Sequence, residues 1–184
     1  MASKQLKYCA KVLTDYGYEV EYFEESDEVP FDYYRFSIGS DLQNRNRYMI
    51  INTIPKPQNI ENLEDTNATE EEREEEDNET LMQVSVVLPF MISEGSIGET
   101  ARILMFFNKG LDAPGFGIDE ISGHIFYRYT FLQPTGLIPR KTILGIIGTA
   151  ILVIDSFSND IEAVANGMAM KDVLEESLKN LNAE

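Results

Sequence analysis

One cysteine, one histidine and few basic residues set the first limits on this chain. Cys9 alone forms no intramolecular disulfide, so a reducing compartment, the cytoplasm, is expected. A single Cys and a single His are too few for the usual His/Cys metal site. No metal and no cofactor are expected. Any Ser–His–Asp or Cys–His catalysis would have to run through His124. That residue opens a predicted strand with neither a cysteine nor a nucleophile elbow beside it, so it is read as a structural or half-exposed strand histidine, and no catalytic residue is assigned. Fifteen Lys and Arg stand against 32 Asp and Glu, for a formal net charge of −17 and a pI near 4.4. Phosphate binding depends on cations, so the balance excludes a nucleic-acid partner. It also argues against an anionic membrane surface, which attracts basic segments. Long hydrophobic runs are missing as well. The longest uncharged apolar stretch, Thr142–Ile154, has thirteen residues, two of them Gly145 and Gly148. It is too short to span a bilayer and fits a buried helix. Met1–Gln5 shows no apolar core followed by a cleavage site, so no signal peptide is expected.

What is present suits a globular protein. The chain has 184 residues and is 43% hydrophobic, near the ordinary composition of folded domains. A domain of this size buries roughly 70% of the surface its unfolded chain exposes, without a disulfide or metal. A single domain over 1–184 is expected. The acidity is uneven. Residues 61–79 hold eleven acids and one base, Arg73, and so contribute −10 of the −17. A block this dense in like charge repels itself and has little to bury, so about 57–79 is predicted to be a disordered acidic excursion within a hairpin. Glu70–Glu79 has neither the glycine nor the spacing of a calcium loop. Its expected role is solubility and repulsion of acidic surfaces.

Apolar spacing sets out the elements. Leu6, Cys9, Ala10 and Leu13 recur at helical intervals between Ser3 and Tyr16, with Gly17 as the stop. Tyr18–Tyr22 alternates apolar with acidic residues and reads as a strand with one buried and one wet face. Phe31–Gly39, with Tyr34, Phe36 and Ile38 on one side, and Tyr48–Ile54 follow as strands. Leu81–Phe90 resumes the sheet with Met82, Val84, Val86 and Leu88 facing one way. Ser96-Ile97-Gly98-Glu99 matches a capping box, opening a helix to about Asn108 with Lys109 and Gly110 as its stop. Phe116–Ile121 and His124–Leu132 form a hairpin through Ser122-Gly123, and Ile125, Tyr127, Tyr129 and Phe131 share a face. Pro139 is placed at the first position of a long helix to about Asn166, capped by Gly167. A short polar helix over about 168–181 follows. The fold class is α+β, a mainly antiparallel sheet with helices packed on it, in the order α-β-β-β-(β)-α-β-β-α.

In this order the chain resembles the YbjN-like family, described as bacterial sensory-transduction regulators and similar in fold to the class I type III secretion chaperones. The likeness is carried by the strand Leu81–Phe90, the helix end Met105-Phe106-Phe107-Asn108, and the hairpin from Gly115-Phe116-Gly117-Ile118-Asp119 to Ile125-Phe126-Tyr127-Arg128-Tyr129. The resemblance implies a homodimer and a non-enzymatic role. In secretion chaperones, hydrophobic patches hold an extended stretch of a protein client.

The candidate binding residues come from the second helix. Ile103, Leu104, Met105, Phe106 and Phe107 are consecutive and apolar. A surface helix needs one apolar stripe, and a helix apolar on more sides needs cover on more sides. Ile103, Met105, Phe106 and Phe107 are therefore expected to form a dimer or client surface; a position under the long C-terminal helix is the alternative. Gly115-Phe116-Gly117 reads as a strand start and Gly145-Ile146-Ile147-Gly148 as close helix packing, because neither has the form of a phosphate loop. The pairs Asp112 with Asp119 and Asp15 with Glu19 fall in turns and on wet faces, with nothing apolar enough to raise a pKa. Three functions remain open: a protein- or peptide-binding module, a regulatory module sensing a small ligand, and an enzyme of unrecognised type.

Overall fold

A computed structural model of the protein describes residues 2–27, 29–54, 80–112, 115–133 and 136–181. The acidic excursion expected at 57–79 lies outside these residues. The elements are α1 (Lys4–Tyr16), β1 (Val20–Phe23), β2 (Tyr33–Ser40), β3 (Asn46–Ile54), β4 (Thr80–Met91), α2 (Ile97–Gly110), β5 (Phe116–Asp119), β6 (His124–Gln133), α3 (Arg140–Ala165) and α4 (Met170–Leu181). The six strands form one antiparallel sheet in the order β1-β2-β3-β4-β6-β5. The fold is α+β, as the element order predicts. The residues group into two compact units: Met1–Ser37, Met49–Val84 and Thr130–Ile147 in one, and Ile38–Tyr48, Ser85–Tyr129 and Gly148–Glu184 in the other.

In the first unit α1 is built as its spacing predicts. Ser3 Oγ accepts the Leu6 N–H at 3.1 Å and caps the helix. Gly17 ends it at φ 105°, with Gly17 N–H on the Thr14 carbonyl and Tyr18 N–H on that of Leu13. Only glycine enters this left-handed turn without a steric penalty. Leu6, Cys9, Val12 and Leu13 are buried, as are Phe36, Met49, Ile51, Met82 and Val84 from the strands. Gln5, also buried, donates to Cys9 Sγ at 3.2 Å and accepts from the Ile138 N–H at 3.2 Å. β1 departs from its expected two-faced form. It pairs with β2 (Val20↔Phe36 through Phe23↔Tyr33) at the sheet's edge, and none of its four residues is buried. Alternation in the sequence marks a strand, but an edge strand lacks the second neighbour that completes burial.

In the second unit Val86, Leu88 and Phe90 of β4 are buried, as are Ile125 and Tyr127 of β6 and Val153, Ile154, Ile161 and Val164 of α3. α3 ends as predicted, with Gly167 at φ 103°. Its start is one residue later than expected: the Pro139 carbonyl accepts from Thr142 and Ile143, which makes Pro139 the cap. Gly145 and Gly148 correct another expectation. A side-chain carbon added at either would meet nothing within 4 Å, so they do not mark close helix packing. α3 has 26 residues, twice the uncharged run, and is the one helix among the described residues long and apolar enough, by length and composition alone, to cross a membrane. About 33% of its apolar stretch is buried within the chain, and Ile143, Ile147, Ala150 and Ile154 are among the buried residues of the helix.

Candidate binding surface

α2 is held at both ends by polar contacts that set which of its faces is covered. The expected capping box does not form. Ser96 has helical backbone angles and makes no side-chain cap bond. Its carbonyl instead accepts the Thr100 hydroxyl at 2.8 Å. Glu99 turns away and accepts the Met170 N–H, the first residue of α4, at 3.2 Å, and the guanidinium of Arg102. The Met170 N–H first, and then Arg102, hold its carboxyl below the ordinary glutamate range. Glu99 thus caps another helix rather than its own.

At the far end Asn108 clamps β5. Its Nδ2 donates to the Phe116 carbonyl at 2.8 Å and its Oδ1 accepts the Phe116 N–H at 2.8 Å. The amide pairs with the backbone as a neighbouring strand would. Gly115 leaves room for this: an added side-chain carbon would stand 1.9 Å from Asn108 Oδ1. Gly115-Phe116-Gly117 is therefore a strand start, as expected, and its first glycine is demanded by a side chain. α2 reaches past the expected stop at Asn108, because Lys109 and Gly110 remain helical and Leu111 is extended.

Between these anchors the four candidate residues divide. Ile103 is fully buried and Phe107 is 7% exposed, whereas Met105 is 73% and Phe106 52% exposed. Phe107 packs on Phe157 with ring centroids 4.4 Å apart, Phe157 meets Phe116 at 6.4 Å, and Phe116 meets Tyr127 edge-on at 5.4 Å. This aromatic cluster covers one side of α2. Ile103 and Phe107 therefore belong to the core of the unit and are not available to a partner, while Met105 and Phe106 stand in solvent. Residues 105 and 106 share a face, and 103, 104 and 107 share the opposite one, because each residue advances about 100° around the helix. Ile97, at the start of α2, is exposed as well, and other exposed apolar side chains include Val87 of β4, Leu132 of β6, Leu152 of α3 and Leu42 between β2 and β3.

His124 closes the β5–β6 hairpin opposite Asp119. Asp119 accepts the Ser122 hydroxyl at 2.6 Å and the Ile121 N–H at 3.1 Å. Those bonds, the hydroxyl first, hold its carboxyl below the ordinary aspartate range, and they build a turn. Asp15 faces Arg140 at 3.7 Å. Among the described residues no three of His, Cys, Asp and Glu stand close enough to hold a metal ion. A small hollow of about 10 Å³ in the first unit is lined by Cys9, Ile51, Val84, Phe131, Ile143, Ile146 and Ile147. Burial, only partly offset by the bond from Gln5, pushes the Cys9 thiol up to about 11. Compared with models of known protein families and with curated proteins, the chain matches none.

Proposed function

We propose that this chain is a non-enzymatic protein- or peptide-binding module of the secretion-chaperone-like kind, related to the YbjN-like family and acting in the cytoplasm as a homodimer without a cofactor. One observation carries the reading. Met105 and Phe106 are exposed side by side on a helix whose opposite face is already packed. Phe and Met are enriched where protein interfaces are driest, and an adjacent pair left in water is a cost unless a partner covers it. The ligand-sensing alternative would use the hollow beside Cys9, whose free volume is only about 10 Å³, roughly the room of a single water molecule, so the binding reading is the better supported.

The test pairs mass in solution with partner capture. Wild type should run heavier than its 20.9 kDa chain and retain a protein partner. Phe106→Asp, a change on an exposed side chain, should keep the far-ultraviolet spectrum and melting temperature and lose the partner. A strictly monomeric wild type that retains nothing, or a Phe106→Asp protein that still captures the same partner, defeats the proposal.

A further inference from the structure

The sheet ends in β1 on one side and β5 on the other, and the two edges differ. The β5 edge is blocked at Phe116, whose N–H and carbonyl are both taken by the Asn108 amide. At β1, Val20–Phe23 pair with β2 and make no other backbone hydrogen bond among the described residues. In an antiparallel pair, alternate residues turn both N–H and C=O away from the neighbour. Half of the four residues of β1 therefore present free donors and acceptors at the edge, where a further strand can pair. Tyr22 stands 39% exposed beside them.

The charge around this edge is of one sign. No base lies between Lys11 and Arg35, and eight acids do. Glu21 is answered by Arg35 at 2.6 Å. Glu19, Glu24 and Glu25, at the two ends of the strand, are exposed and form no ion pair among the described residues.

Those acids decide between occupants. A second copy adding its β1 antiparallel to this one sets Glu19 opposite Glu24 when the two-fold axis passes between Glu21 and Tyr22, and opposite Glu25 when it passes through Tyr22. With the axis at Glu21, that residue meets itself. Each register brings like charges together, which destabilises a strand pair. A segment carrying Lys or Arg instead meets three carboxylates that no cation of this chain answers, and the field of a body at −17 draws it in.

We propose that the free edge of β1 takes up an extended basic segment as an added strand. Its backbone pairs with the outward groups of Val20–Phe23, a short apolar run lies against Tyr22 and Phe23, and Lys or Arg on either side reaches Glu19 at one end and Glu24 and Glu25 at the other. Main-chain bonds supply the contact in this mode, and complementary charge fixes register and selects the partner. The site stands apart from Met105 and Phe106 on α2 and gives the binding module a second surface with its own chemistry.

The test uses the full chain and fluorescence anisotropy with labelled synthetic peptides. Three share a Val-Thr-Val-Thr core flanked by paired lysines, by serines or by glutamates; a fourth is the lysine peptide with its core amides N-methylated. The lysine-flanked peptide should bind about tenfold more tightly than the serine-flanked one, the sum expected of a few exposed ion pairs. N-methylation should abolish that binding. Glu24→Lys with Glu25→Lys, both exposed, should keep the melting temperature and shift the preference towards glutamate flanks. Phe106→Asp should leave the lysine peptide bound as before, which separates this site from the surface on α2. Equal binding of the three flanks, an order unmoved by the charge reversal, or failure of every peptide overturns the proposal. An N-methylated peptide that binds as well as its parent also overturns it, leaving attraction by charge without an added strand. A wild-type dimer that Tyr22→Pro reduces to monomer shows the edge closed by a second copy and overturns it too.

Discussion

Arg45 grips Glu162 with both arms of its guanidinium, Nη1 to Oε1 at 2.7 Å and Nη2 to Oε2 at 2.6 Å, across 117 residues of sequence. The same arginine reaches back to Asp41 through Nε at 2.6 Å, and Gln43 adds a bond to Glu162 at 3.1 Å. Asp41 also accepts the N–H groups of Gln43 and Arg45, so the β2–β3 turn is a preformed socket. Asn44 completes it at φ 61°, a left-handed angle that asparagine tolerates better than most residues. This latch ties the turn to α3 within the second unit.

Glu162→Ala should destabilise the protein by about 2 kcal/mol, the scale of a bidentate charge-assisted contact that leaves a half-buried cation behind. The double variant with Arg45→Ala should cost less than the sum of the two single changes, because the contact is lost only once. Denaturant melts of the four proteins measure this. Strict additivity would show that the pair contributes nothing jointly.

Acid should weaken the fold through three carboxylates. Burial alone would raise Asp41, but the N–H and guanidinium of Arg45 with the Gln43 N–H outweigh it and hold the group low. Glu99 and Asp119 are held low by their own hydrogen bonds. A depressed folded pKa means stability that is fully present above the ordinary values, 4.5 for Glu and 3.8 for Asp. It is lost as the pH falls through the lower folded values. Stability should therefore hold steady through neutral pH and fall below about pH 4.5, less steeply in Asp41→Asn and Glu99→Gln. A melting temperature unchanged at pH 3 would contradict the ion-paired geometry.

Asn108→Ala should cost about 2 kcal/mol, because the Phe116 N–H and carbonyl both lose a partner. Gly115→Ala should cost as much or more, since the new carbon displaces the Asn108 amide. Combining them should add little to Asn108→Ala, as the clash has then lost its object. A full additive loss would place the role of Gly115 in its backbone instead.

The Cys9 thiol should not react with a disulfide reagent at pH 8 in the folded protein. It is buried and its pKa stands near 11, and the thiolate is the reactive form. Denaturant should expose it stoichiometrically. Rapid labelling without denaturant would mean that α1 opens readily.

How much was legible in the sequence can be judged element by element. Gly17 and Gly167 marked helix ends because the left-handed turn is a local steric demand. Met82, Val84, Val86 and Leu88 marked a buried face because a strand's period of two is written into neighbouring residues. The five apolar residues at 103–107 announced a helix in need of cover on several sides. They could not say that Ile103 and Phe107 face Phe157 and the core while Met105 and Phe106 face water, since that depends on where α3 and β5 pass. The Ser96–Glu99 spacing misled because Glu99 found a better donor 71 residues away in Met170.

Local periodicity and the glycines thus determined the α+β class and the helix ends at Gly17 and Gly167. Each of these depends on residues that are neighbours in the chain. Tertiary structure alone decided the strand order, the Asn108 clamp, the Arg45–Glu162 latch and the exposed side of α2. The latch joins segments 117 residues apart, and even the clamp, across eight residues, depends on how the chain turns between α2 and β5; no periodic pattern in the sequence records either meeting.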